Sequence, residues 1–183
     1  TDRIEQYVAF VQKADKRQLL IALLEGQMVA CGIVFTRTKH GANRLAKQLS
    51  KVGIPSDSIH GDKSQTARTR ALEAFRNGDV FVLVATDIAS RGIDVEDITH
   101  VFNFDLPNEP EVYIHRIGRT ARAGREGLAY SFCDETESGY LVGIQQLLGE
   151  EIEVLEEQPY HFEKARPKPG QKPGRVKGAP VGG

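Results

Sequence analysis

The run Val80–Ala85 (VFVLVA) is apolar at all six positions, so a strand built from it has two faces to bury. Strands covered on both faces belong to parallel sheets flanked by helices. The neighbouring segments fit that frame. Gly32–Thr36 (GIVFT), Ser56–His60, Thr99–Phe104 and Leu128–Cys133 read as further short strands. Helical patterns alternate with them. Thr38 is placed to cap a helix running to Lys51, with Gly53 just beyond it. Ser64 caps a second through Arg76, whose Ala67, Ala71, Leu72, Ala74 and Phe75 share a face. Pro110 suits the first turn of a third, through Ile117, and Glu135–Leu148 reads as another. Leu19–Leu24, ended by Gly26, reads as an opening helix. The alternation predicts a three-layer α/β domain with a mainly parallel sheet over residues 1–162.

A chain of 183 residues suits one such domain. No apolar run approaches the ~20 residues of a membrane helix, and the polar start Thr1–Gln6 is not a signal peptide. It reads instead as a cut inside a longer chain. Cys31 and Cys133 lie in strand-like segments and the five histidines show no ligand spacing. Neither a disulfide framework nor a metal site is indicated, and the reducing cytoplasm is the expected compartment. The net charge of −1 divides unevenly, because Glu163–Gly183 alone carries +5. That Pro/Gly-rich stretch has little apolar surface to offset the entropy of ordering, so 163–183 is expected to be a disordered basic tail. A basic tail of this kind suits a sequence-indifferent RNA tether, or serves only to solvate the terminus.

Ligands of open parallel sheets gather at the carboxyl ends of the strands, so the segments that follow the strands carry the chemistry. His115–Arg125 (HRIGRTARAGR) holds arginines at every third position with two glycines among them. Guanidinium groups on such a loop suit phosphate, since each is permanently charged and offers a planar fork of donors. A solvated basic loop is the plain alternative. Thr86–Val95 (TDIASRGIDV) offers polar ligand contacts, although by itself a Thr-Asp pair is more often a cap at Asp87, with Asp94 in an ion pair. Gln65 and Arg68 face the same way in a first helical turn beside a terminus that favours anions. Thr38 suits a cap better than a ligand.

Four of these segments together resemble the DEAD-box RNA helicases. HRIGRTAR is similar to that family's motif VI, ATDIASRGID to its motifs V and Va, GDKSQTAR to its QxxR motif and IVFTRTK to motif IV. They occur in the family's order across roughly residues 1–160, and the opening IEQYVAFV…KRQLLIALL resembles the entry to the family's second domain. The wording is closest to the bacterial RhlE-like group. The resemblance implies a C-terminal RecA-like domain that closes over ATP with a P-loop partner domain. Arg119 and Arg122 match the arginine fingers. Asp94 matches the contact to the nucleotide ribose, and His115 and Arg116 match positions that couple the loop to the nucleotide side. Gln65, Arg68, Thr86, Arg91, Gly92 and Thr38 match RNA-backbone contacts. Ala121 stands where the family usually has Gly; at positive φ an alanine costs on the order of 1 kcal/mol.

No Gly-x-x-x-x-Gly-Lys-[Ser/Thr] segment occurs, so ATP and Mg²⁺ would be held mainly by the P-loop domain that the resemblance implies upstream. Asp134–Glu137 (DETE) reads as a helix start. The chain alone is therefore expected to be inactive. A DNA-directed relative and a non-catalytic RNA-binding module of the same fold are the rival readings. An unrelated doubly wound domain fails for want of a Gly-rich loop after its first strand.

Overall fold

The computed structural model describes residues 3–176. Seven strands form one sheet in the order β3-β4-β2-β5-β6-β1-β7, and every recorded pairing is parallel. They are β1 (Ile4–Phe10), β2 (Gly32–Phe35), β3 (Ser56–Ile59), β4 (Val82–Ala85), β5 (His100–Asn103), β6 (Gly127–Cys133) and β7 (Glu153–Val154). The helices are α1 (Lys16–Gly26), α2 (Lys39–Lys51), α3 (Gln65–Arg76), α4 (Pro110–Ile117) and α5 (Ser138–Leu148).

Strand β4 lies between β3 and β2, and its Val82, Leu83, Val84 and Ala85 are all fully buried. Val80 and Phe81 of the expected run precede the strand, and Phe81 is 36% exposed. One sheet face packs on α1 and α2. Ala42, Leu45, Ala46 and Leu49 supply the buried stripe of α2, spaced three and four residues apart. Ala71, Leu72 and Phe75 of α3 cover Ile33, Phe35 and Leu83 on the opposite face. Tyr113 and Ile117 of α4 and Leu141 and Ile144 of α5 cover Val8, Phe10 and Ala129. The three expected layers are present.

The local punctuation works as anticipated. The Thr38 hydroxyl accepts from Gly41 N–H and the Ser64 hydroxyl from Ala67 N–H, while Pro110 opens α4. Asp134 caps the 3-10 turn Glu135–Glu137 with a capping box, and α5 follows at Ser138. Strands β1 and β7 were not foreseen. β1 joins β6 from more than a hundred residues away, and its polar Gln6 is satisfied by the Tyr113 hydroxyl at 2.6 Å.

The expectation of a tail without fixed structure is not met for residues 163–176. Glu163–Ala165 form a 3-10 turn, Ala165 is fully buried, and the guanidinium of Arg166 lies over the Phe10 ring. Beyond it the chain crosses the start of α5, where Gly174 N–H donates to Gly139 O. A Cβ at Gly139 would stand 1.4 Å from the Gly174 carbonyl oxygen, so the absent side chain makes this crossing possible. Positions 177–183 of the expected tail lie outside the described residues.

Candidate nucleotide and RNA interface

After β2 the chain moves to β3 and back to β4, then crosses β2 to reach β5. The carboxyl ends of β4, β2 and β5 therefore meet at a topological switch point, where open α/β sheets place their ligands. The segments leaving these ends carry Thr86–Gly92, Arg37–Thr38 and Asp105. The arginine loop after α4 rises beside them.

Arg116 organises this end. It is 3% exposed, and Nε and Nη2 donate to the two carboxylate oxygens of Asp87 at 2.6 and 2.8 Å. Nη1 donates to Asn103 Oδ1 at 3.2 Å and to the Asp105 carbonyl at 2.6 Å, with Phe35 beneath the guanidinium at 5.2 Å. Four of its five N–H donors are spent inside the domain. The neighbouring arginines are less engaged. Arg119 Nη1 reaches the Ile93 carbonyl at 3.3 Å. Burial and then the charge of Arg122 lower its pKa, against the pull of Asp94. Arg122 meets Asp94 at 3.4 Å, with side-chain exposures of 37% and 74%. Such an exposed pair holds neither group firmly.

A cleft of about 330 Å³ is lined by Asp87, Arg91, Gly92, His115, Arg116 and Arg119, among others. Of the sequence candidates, Arg91, Gly92, His115, Arg116 and Arg119 meet here. Gly92 takes a φ of +78°, which turns the chain sharply after the exposed Arg91. Arg68 reaches across from α3 to donate to the carbonyls of Ala89 and Arg91, the latter at 2.9 Å. It thus braces the loop that follows β4. Gln65 and Thr38 are exposed on their own helix starts and do not line the cleft.

Ala121 has a φ of +58° and Ala123 of +56°. The left-handed conformation is therefore required at Ala121, and an alanine accepts it at a cost of about 1 kcal/mol.

Sequence reasoning did not reach a second polar cluster beside the cleft. Lys16 is 1% exposed and lies 2.7 Å from Glu137, 3.4 Å from Asp105 and 3.4 Å from Asp134. Burial opposes its charge, yet the three carboxylates together raise its pKa. Glu137 also accepts from Arg37 at 3.1 Å and from Leu106 N–H at 2.8 Å. The sequence offered only a charged stretch, Lys13–Arg17, before an apolar helical run, with nothing to single out Lys16 as buried. Among the described residues, no group of three or more His, Cys, Asp or Glu side chains is disposed to hold a metal ion.

A parallel sheet with an arginine-bearing loop at its switch point defines a RecA-like α/β domain with arginines at its strand-end edge. The family model for the helicase conserved C-terminal domain matches residues 15–124. The ATP-dependent RNA helicase CshA of Listeria monocytogenes is 42% identical over 153 residues, which cover 84% of this chain and 29% of that protein. Among solved structures, the E. coli DEAD-box protein SrmB bound to regulator of ribonuclease activity A superposes with a TM-score of 0.84 at 36% identity. The match covers 90% of this chain and 98% of that one. S. cerevisiae Dbp5 bound to RNA and ADP BeF3 gives 0.77 at 36% identity, covering 85% and 42%. The chain belongs to the DEAD-box helicase family as its C-terminal domain. It spans about three-tenths of the length of the curated relatives it matches. Those relatives carry the CshA name and lend no support to the RhlE-like subgroup. No helix among the described residues is long and apolar enough to cross a membrane.

Proposed function

We propose that this chain is the half of an ATP-dependent RNA helicase that supplies arginine fingers and RNA-backbone contacts. One contrast carries the reading: Arg116 in the last turn of α4 is locked within the domain, while Arg119 and Arg122 on the loop that follows stay at the rim with weak partners. Cations left available at a strand-end face suit the charge that develops on a transferring phosphoryl group. In this reading Asp94 turns to the nucleotide ribose when Arg122 leaves it, and His115 faces the P-loop domain. ATP and Mg²⁺ are bound mainly by that domain, so this chain alone is inactive.

Thr38, Gln65, Arg68, Thr86, Arg91 and Gly92 would hold RNA through phosphates and 2′-hydroxyls. Such contacts fix register without reading sequence. Arg68 does so in part by bracing the loop of Arg91. Closure of the two halves around one strand then separates a duplex locally, and hydrolysis reopens them. The basic residues Lys164, Lys168, Lys172 and Arg175 extend the cationic surface along the docked C-terminal segment as an RNA tether.

The deciding experiment joins this chain to a P-loop domain and measures ATP hydrolysis with and without RNA, beside Arg122→Ala. RNA-stimulated turnover that collapses in the variant supports the reading. Turnover that survives moves the finger elsewhere or reduces the chain to an RNA-binding module. Clear turnover by the chain alone removes the claim that it depends on a partner domain.

A further inference from the structure

The loop after β5 holds two surfaces at once. The Asp105 carboxylate accepts the Arg37 backbone N–H at 2.9 Å, just before Thr38, and its other oxygen lies 3.4 Å from the Lys16 ammonium. The Asp105 carbonyl accepts from Arg116 at 2.6 Å. That carbonyl and the Leu106 N–H belong to one peptide plane, and the Leu106 N–H donates to Glu137 at 2.8 Å. Glu137 in turn holds the Arg37 guanidinium at 3.1 Å, and Leu106 O accepts from it at 2.9 Å. Two routes therefore connect Arg37 to Arg116. One passes through the Asp105 side chain and the other through Glu137 and the 105–106 peptide.

A peptide plane is rigid, so a pull on one edge is felt at the other. Arg116 and Glu137 are 3% and 1% exposed, so water competes little for their own bonds, which are charge-assisted and strong. The bond from the Arg37 backbone N–H to the Asp105 carboxylate instead lies at the surface, where RNA would reach it. Arg37 cannot shift by much without either breaking its bond to the Asp105 carboxylate or rotating that residue. Rotation of Asp105 moves the carbonyl on which Arg116 rests. Arg116 also holds Asp87 on the loop after β4 and opens the segment that carries Arg119 and Arg122.

We propose that Asp105 is a positioning residue that transmits occupation of the Arg37–Thr38 loop by RNA to Arg116, and so to the segment bearing the two outer arginines. It touches neither ligand. The inference rests on the reading of Thr38 as an RNA-backbone contact and adds the path by which that contact is felt at the nucleotide side.

The test uses the 183-residue chain and a short fluorescein-labelled oligouridine. Anisotropy reports binding, and ¹⁵N NMR of the Arg116 Nε–H reports its environment at saturating RNA. In the parent chain, RNA shifts the Arg116 Nε–H resonance. In Asp105→Ala the shift falls to the part carried by Glu137 and the 105–106 peptide, because the carboxylate route is gone. In Asp105→Asn it returns, because the amide oxygen still accepts from Arg37. Binding by the parent with an unmoved Arg116 resonance overturns the relay whatever the variants do, and leaves the RNA-contact reading standing. A shift in Asp105→Ala as large as in the parent overturns it too. Absence of any RNA binding by the parent removes the RNA-contact reading and the relay together.

Discussion

Arg116 and Asp87 meet fork to fork, with Nε and Nη2 at 2.6 and 2.8 Å from the two carboxylate oxygens. The pair ties the end of α4 to the segment after β4, and it separates Arg116 by role from Arg119 and Arg122 on the loop that follows. Arg116 is an internal strut, whereas Arg122 has a single exposed partner in Asp94.

That division predicts opposite outcomes for two alanine substitutions. Arg116→Ala strips the buried Asn103 amide oxygen and the Asp105 carbonyl of their donor and leaves Asp87 unpaired, at a cost of about 3 kcal/mol. Arg122→Ala changes stability by no more than about 0.5 kcal/mol, as expected of a surface pair. Urea titration of both variants measures the difference. Joined to a P-loop domain, Arg122→Ala is expected to lose on the order of 10³-fold in ATP turnover.

Ala121 is held at a φ of +58°. Replacing it with glycine removes the clash of its Cβ in the left-handed region and should stabilise the fold by up to about 1 kcal/mol. A lower urea midpoint for Ala121→Gly would show that the strain relieved is smaller than the unfolded-state entropy that glycine adds.

Gly139 meets the Gly174 carbonyl where the C-terminal segment crosses α5. In Gly139→Ala the segment yields before the helix does, because α5 is anchored by the fully packed Leu141 and Ile144. Trypsin is then expected to cut after Arg175, the basic residue of this segment not followed by proline, faster than in the parent, with the body of the domain left intact. Equal cleavage rates would mean that the segment does not depend on this contact.

His100 lies in an aromatic stack with Phe102 and Tyr130, and burial lowers its pKa from the ordinary 6.5. A depressed histidine favours the neutral form in the folded state. Its contribution is therefore present above pH 6.5 and is lost as pH falls through the folded value. The urea midpoint of the parent should decline between neutral and mildly acid pH. His100→Gln, which cannot be protonated, should decline less; His60, whose pKa burial and Lys63 also lower, accounts for part of the remainder. Parallel pH profiles for parent and variant would exclude His100 as a source of the decline.

The sequence by itself determined what depends on neighbours along the chain. Thr38, Ser64 and Pro110 mark helix starts because capping acts within one turn, and Val80–Ala85 announces a doubly covered strand by composition alone. The spacing of the arginines in HRIGRTARAGR and the order of the four motifs were enough for the family. What the tertiary structure decided is non-local. β1 was hidden because its pairing with β6 and the satisfaction of Gln6 by Tyr113 depend on residues about a hundred or more positions away. The Lys16–Glu137 cluster and the Arg37–Asp105–Arg116 connection were equally silent, because an ion's partner is chosen by proximity in space, which the sequence does not print. The C-terminal segment reads as disordered by composition, yet residues 163–176 dock. A backbone can approach another closely wherever a glycine leaves room, and Gly139 leaves that room on α5.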